Sequence, residues 1–153
     1  MWPLIGLYIS TNLAGTVPLP GVTDLLRRAE ESGLSCAVAS SSRRESVEPY
    51  LHQYGIHEKF RAIVTREDAE HPKPAPDLYR NALRILAVRP DEAVALEDSL
   101  PGAKAALAAG MRCIGVPSLL TRHLEFPGGV TSLNSLAELD VDHLCKKGFP
   151  HEQ

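Results

Sequence analysis

Basic charge, paired cysteines and long apolar runs are all scarce in this 153-residue chain, and each shortage removes a class of function. Sixteen Lys and Arg stand against nineteen Asp and Glu, for a net charge of −3 and a pI near 6.1. No basic surface is on offer, so no nucleic-acid partner is expected. The three cysteines, Cys36, Cys113 and Cys145, are odd in number and far apart, and no Cys-x-x-Cys pair occurs. Cys36 and Cys113 lie in apolar strand-like runs, so they read as reduced thiols and the expected compartment is cytoplasmic. The apolar start, Trp2 to Ile9, is interrupted by Pro3 and Gly6 and has no basic residues ahead of it. It is too short to span a membrane and lacks the charged region of a signal peptide. No later segment approaches membrane-spanning length, and neither a repeat nor a low-complexity tract is present.

The remaining composition, 44% hydrophobic and 23% charged, is ordinary for a soluble globular protein of one domain. From residue 18 onward helix-like and strand-like segments alternate with short connections, the pattern of a parallel sheet covered by helices. Val22, Leu25, Leu26 and Ala29 recur at helical spacing behind Thr23 as a cap, with Gly33 as the stop. Strand 35–39 follows, then a helix over about 44–54 with Val47, Tyr50, Leu51 and Tyr54 on one face. A second strand spans 61–65. A third helix opens near Pro76 and buries Leu78, Ala82, Leu83 and Leu86, and a third strand spans 93–97. An alanine-rich helix runs from Pro101 to Ala109 and is closed by Gly110. A fourth strand covers 112–116, one more helical stretch is expected over 132–144, and a tail over 146–153.

In such a sheet ligands bind beyond the carboxyl ends of the strands, so the residues just after each strand are the candidates for chemistry. Ser40-Ser41-Ser42-Arg43-Arg44 follows the first strand, and His71-Pro72-Lys73-Pro74-Ala75-Pro76-Asp77 leads into the third helix. Glu97-Asp98-Ser99-Leu100-Pro101-Gly102 ends the third strand. Taken singly these are ordinary: Ser40 reads as a turn or cap residue, Lys73 as solvated surface, and Glu97 and Asp98 as surface charge. Asp77 reads as an acid in a first helical turn. Arg43 and Arg44 read equally as substrate contacts and as a solvated first turn. His52, His57, His71, His123, His143 and His151 have no metal-ligand spacing.

Taken together and in this order, the three strings resemble motifs two to four of the haloacid dehalogenase (HAD) superfamily. The likeness covers residues 18 to about 139 and points to the branch of β-phosphoglucomutase-like and phosphoglycolate-phosphatase-like enzymes. It implies a three-layer, Rossmann-like α/β core with a parallel sheet, and a Mg²⁺-dependent phosphatase or phosphomutase acting on a small phosphorylated metabolite, a sugar phosphate above all. By the same resemblance Ser40, with Ser41, would hold a phosphate oxygen. Lys73 would be the catalytic cation offsetting the phosphate, and Ser42, Arg43 and Arg44 would lie toward the substrate. Asp98 would hold Mg²⁺ with Glu97 assisting.

The family's first motif, an apolar strand ending in Asp-x-Asp-Gly and carrying the nucleophile, does not precede Ser40. The chain's one Asp-x-Asp, Asp140-Val141-Asp142, has no apolar strand before it and no Gly after it. The expectation is therefore an N-terminally truncated HAD core over 18–145, without the nucleophile or the family's covering domain and inactive as given. The alternative is a non-catalytic phosphate-binding or interaction module. Without the nucleophile strand the sheet would have a central gap of about 10 Å, and an exposed edge there would favour a homodimer. Residues 1–17 are read first as a remnant of the connection from the covering domain. The other reading makes 4–9 a substitute strand ending at Ser10-Thr11-Asn12.

Overall fold

Each apolar stripe read from the sequence needs a surface to cover it, and a single parallel sheet supplies both surfaces. A computed structural model describes residues 4–7, 18, 21–118, 121–142 and 144. Its strands are β1 (Leu4–Leu7), β2 (Cys36–Ala39), β3 (Ala62–Val64), β4 (Ala93–Glu97), β5 (Arg112–Gly115) and β6 (Val130–Ser132). The helices are α1 (Val22–Glu31), α2 (Arg44–Gln53), α3 (Asp77–Leu86) and α4 (Leu100–Ala108). All strand pairs are parallel, in the order β3-β2-β1-β4-β5-β6.

Alternation along the strands divides the core into two layers. Cys36 and Val38 of β2, Val94 and Leu96 of β4 and Ile114 of β5 pack with the apolar faces of α1 and α2. The opposite faces of the strands carry Ala37, Ala39, Ala62, Ala93 and Ala95, and against them lie α3 and α4 with Leu78, Tyr79, Ala103 and Ala106. Small residues on both sides of this second layer let the helices approach the sheet closely.

The expected central gap is absent from the described sheet. Leu4–Leu7 pairs with β2 on one side, Ile5 with Cys36, and with β4 on the other, Ile5 with Val94. No open central edge is left for the expected homodimer; the outer strands are β3 and β6. Residues 8–17, including Ser10-Thr11-Asn12, and the tail 146–153 lie outside the described residues.

Two local expectations are corrected. Thr23 does not cap α1: Gly21 holds the N-cap position at φ 91° with no side-chain cap. A Cβ at Gly21 would approach the backbone nitrogen of Ala137 to 2.9 Å, so glycine is required on two counts. The stretch 132–144 is not one helix. It opens in β6, turns through the 3-10 segment Leu136–Glu138 and resumes helical geometry at 141–142 and 144. Leu133 donates its N–H to the Gly115 carbonyl, extending the sheet edge, and the Ser135 hydroxyl accepts from Ala137 N–H and starts a new turn. Leu136, Leu139, Val141 and Leu144 imitate the spacing of one helix because each is buried in the α1 layer, although they come from a 3-10 turn, the link after it and a separate helical turn. Among the described residues no helix is long and apolar enough to cross a membrane.

Candidate active site

Strand order reverses direction at β1, which has the β2 side of the sheet on one flank and the β4 side on the other. In sheets of this kind ligands bind beyond the carboxyl ends of the strands at such a reversal, which here are the ends of β2 and β4 beside β1. Ser40, the residue after β2, is fully buried; its N–H donates to the Val64 carbonyl and its hydroxyl accepts from Ser42 N–H at 3.1 Å. Ser41 accepts the Lys73 N–H at 3.2 Å, tying the two loops together. Asp77, the first residue of α3, accepts the His71 N–H at 3.0 Å and contacts the His71 ring at 3.2 Å. These contacts with His71, led by the backbone hydrogen bond, hold the Asp77 carboxyl below its usual range. The loop that carries Lys73 is thereby pinned at both ends.

The Lys73 side chain is almost entirely enclosed. Its ammonium donates to the Ala39 carbonyl at 2.9 Å and pairs with Glu97 Oε1 at 2.5 Å. The Tyr79 hydroxyl donates to the same Glu97 oxygen, and the Tyr79 ring lies 4.8 Å from the ammonium. Burial lowers the Lys73 pKa and raises that of Glu97, while their mutual attraction opposes both shifts. Glu97 Oε2 is buried without a hydrogen-bond partner and rests against the first turn of α4. A Cβ on Gly102 would occupy the space of this carboxylate.

Asp98 is 7% exposed, and its Oδ1 is buried without a hydrogen-bond partner. Burial first, and then the charge of Glu97, push its carboxyl up to about 7. Proximity to a cation would reverse that shift. Mg²⁺ is bound in proteins by one or two carboxylates plus phosphate oxygens and waters. Asp98 fits as one such carboxylate. Among the described residues no group of three His, Cys, Asp or Glu is arranged to hold a metal.

Ser40, Ser41, Lys73, Glu97 and Asp98 thus come together. Arg44 and Arg43 do not join them by any described contact. The Arg44 guanidinium is bonded to Glu48 at 2.9 Å, Asp68 at 2.6 Å and the Ile63 carbonyl at 3.0 Å. Arg43 is exposed and lies 3.7 Å from Glu45. The Ser42 hydroxyl is buried without a hydrogen-bond partner. Tyr79 and Gly102 were not among the candidates. Tyr79 is hidden in the α3 stripe as an apparent core aromatic, and Gly102, though part of the Glu97–Gly102 string, shows its task in sequence only as a glycine in a first helical turn five positions after Glu97.

Parallel strands in this order, covered by helices on both faces and carrying a buried lysine–glutamate pair and an acid at their carboxyl ends, define a three-layer α/β fold. The profile of the haloacid dehalogenase-like hydrolases matches residues 5–116, and the chain belongs to that family. Among curated proteins it is 42% identical over 136 residues to "Protein CbbY" of Cereibacter sphaeroides, covering 86% of this chain and 59% of that protein. It is 41% identical over 129 residues to "Putative phosphatase YhcW" of Bacillus subtilis, covering 82% and 59%. Among solved structures, CbbY from Rhodobacter sphaeroides in complex with phosphate superimposes with a TM-score of 0.75 at 44% identity, over 79% of this chain and 55% of that one. A mutant of the same protein in complex with xylulose-(1,5)bisphosphate gives 0.77 at 42% identity, over 83% and 59%. The chain spans about three fifths of the length of the curated relatives it matches.

Proposed function

We propose that this chain carries the phosphate-holding part of a Mg²⁺-dependent phosphatase or phosphomutase site for a small phosphorylated metabolite, a sugar phosphate above all. The observation that carries the reading is the convergence of Ser40, Lys73 and Asp98 at the carboxyl ends of β2 and β4, with Lys73 fixed by Glu97. Ser40 and Ser41 bind the phosphoryl oxygens, and Lys73 offsets their charge from a water-poor setting where such a charge acts strongly. Asp98 holds Mg²⁺, which when bound neutralises phosphate charge. Glu97 serves Lys73 rather than the metal, since one of its oxygens is already engaged by Lys73 and Tyr79. The relative solved with a sugar bisphosphate supports the substrate class.

In the sequence as given no Asp-x-Asp-Gly stands before Ser40, so the chain binds the phosphate ester without forming an aspartyl-phosphate. The purified chain is expected to bind inorganic phosphate in the presence of Mg²⁺, measured by calorimetry, and to leave p-nitrophenyl phosphate intact. Turnover that disappears in Lys73→Ala would overturn the non-catalytic reading, and absence of phosphate binding would overturn the site. An in-frame strand ending in Asp-x-Asp-Gly upstream of Met1 would restore the enzyme reading.

A further inference from the structure

The buried stripe of α3 is hydrocarbon except at Tyr79. Leu78, Ala82, Leu83 and Leu86 bury hydrocarbon against alanines of the sheet, and Tyr79, 1% exposed, brings a hydroxyl into the same layer. A hydroxyl removed from water needs a partner, and a position that asked only for bulk would be met by phenylalanine without that requirement. The partner is the Glu97 oxygen that also receives the Lys73 ammonium. The three groups come from separate segments: the loop before α3, the third residue of α3, and the last residue of β4. No single segment fixes the direction of the Glu97 carboxylate. The bare Gly102 leaves room for the carboxylate on the α4 side but offers it no hydrogen bond, so the donors that orient it are Lys73 and Tyr79.

We propose that Tyr79 is a positioning residue for Lys73. Its hydroxyl fixes the plane of the Glu97 carboxylate so that one oxygen faces the ammonium, and its ring face, 4.8 Å from Nζ, sets the depth at which the ammonium sits between the ends of β2 and β4. The geometric statement stands on the contacts themselves; its consequence for phosphate rests on the function proposed above. Loss of the hydroxyl frees the carboxylate to rotate, and the Lys73 ammonium follows it away from the Ala39 carbonyl at the end of β2.

The test uses the whole chain with ¹³C-labelled lysine, the Lys73 Hε–Cε resonance being assigned by its loss in Lys73→Met. Tyr79→Phe is expected to move this resonance and to weaken inorganic phosphate binding about 10-fold, the loss expected for one hydrogen bond to a charged group. Leu83→Val, which trims the same helix without touching the hydroxyl, is expected to do neither. In a Lys73→Met background Tyr79→Phe is expected to add no further loss of phosphate affinity. An unmoved Lys73 resonance in folded Tyr79→Phe overturns the proposal. If Tyr79→Phe does not fold, 3-fluorotyrosine placed at 79 keeps the shape and alters the donor strength of the hydroxyl. The resonance must then move, and an unchanged one overturns the proposal equally. A moved resonance in a protein that binds no phosphate upholds the positioning role and sinks the phosphate reading instead.

Discussion

The Glu97 carboxylate fills the volume that a side chain on Gly102 would take, so the acid that ends β4 and the glycine in the first turn of α4 form a fitted pair. Glu97 can fold back over the helix start only because position 102 is bare. The pair links the chemistry of the strand end to the packing of the following helix.

Gly102→Ala should therefore reverse the usual effect of alanine in a helix. At an ordinary helical site the change stabilises by about 0.5–1 kcal/mol. Here it displaces a buried carboxylate, and a loss of about 1–3 kcal/mol is expected from overpacking. Urea unfolding of the two proteins decides it, and a gain in stability would refute the fit.

The Lys73–Glu97 pair is enclosed on both sides, with side chains 3% and 0% exposed. Removing one partner leaves the other buried without its opposite charge, with the Ala39 carbonyl beside Lys73 or the Tyr79 hydroxyl beside Glu97. Lys73→Met or Glu97→Gln is each expected to cost about 3–5 kcal/mol. The double substitution should cost well under the sum, because no buried charge is then stranded. Strict additivity in denaturant melts would show that the two groups do not act as a pair.

Asp98 provides a pH signature. Its folded pKa, about 7, stands above the ordinary 3.8, so its contribution to stability is fully present below about pH 4 and is lost as pH rises toward 7. Asn resembles the protonated acid. In metal-free buffer Asp98→Asn is expected to match the parent near pH 4 and to melt at a higher temperature near pH 8. Equal melting temperatures at pH 8 would contradict the upward shift.

Arg44 is predicted to be a fastener. Besides its bonds to Glu48, Asp68 and Ile63, its N–H lies 3.1 Å from Glu67, and Asp68 also caps the 3-10 segment Arg66–Asp68 through Thr65. Partial burial works against the charge on Asp68, but the Thr65 N–H and Arg44 outweigh it and the carboxyl sits below its usual range. Arg44→Ala should lower stability by about 1 kcal/mol, a modest figure because the ion pairs are more than a third exposed. Phosphate affinity should stay within about 2-fold, the span of a few tenths of a kcal/mol. A tenfold loss would return Arg44 to the substrate.

Much of this was legible because period and punctuation agreed. Leu78, Ala82, Leu83 and Leu86 repeat at helical spacing behind Pro76, and α3 occupies Asp77–Leu86. Val94 and Leu96 stand among alanines, and β4 is buried along its whole length. Ser40 and Asp98 are legible as the residues after strands and Lys73 from its place in the loop before the third helix, and the structure puts these strand ends and that loop beside one another. What could not be read depended on contacts between distant segments. Tyr79 looks like core until Glu97 is seen beside it, and β6 has only three residues, two of them polar and exposed. Leu4–Leu7 is too short for its pattern to distinguish a sheet strand from a connecting segment. Its place became visible only with partners on both sides.

That placement has a consequence for assembly. β1 closes a seam, with Ile5 paired to Cys36 on one side and to Val94 on the other, so the two halves of the sheet are joined only when it has docked on both. Contacts of such long sequence separation are late and slow to form. Until the seam closes, β2 and β4 each present a bare edge to other molecules, so Leu4–Leu7 acts as the protein's own guard against sticking to its neighbours.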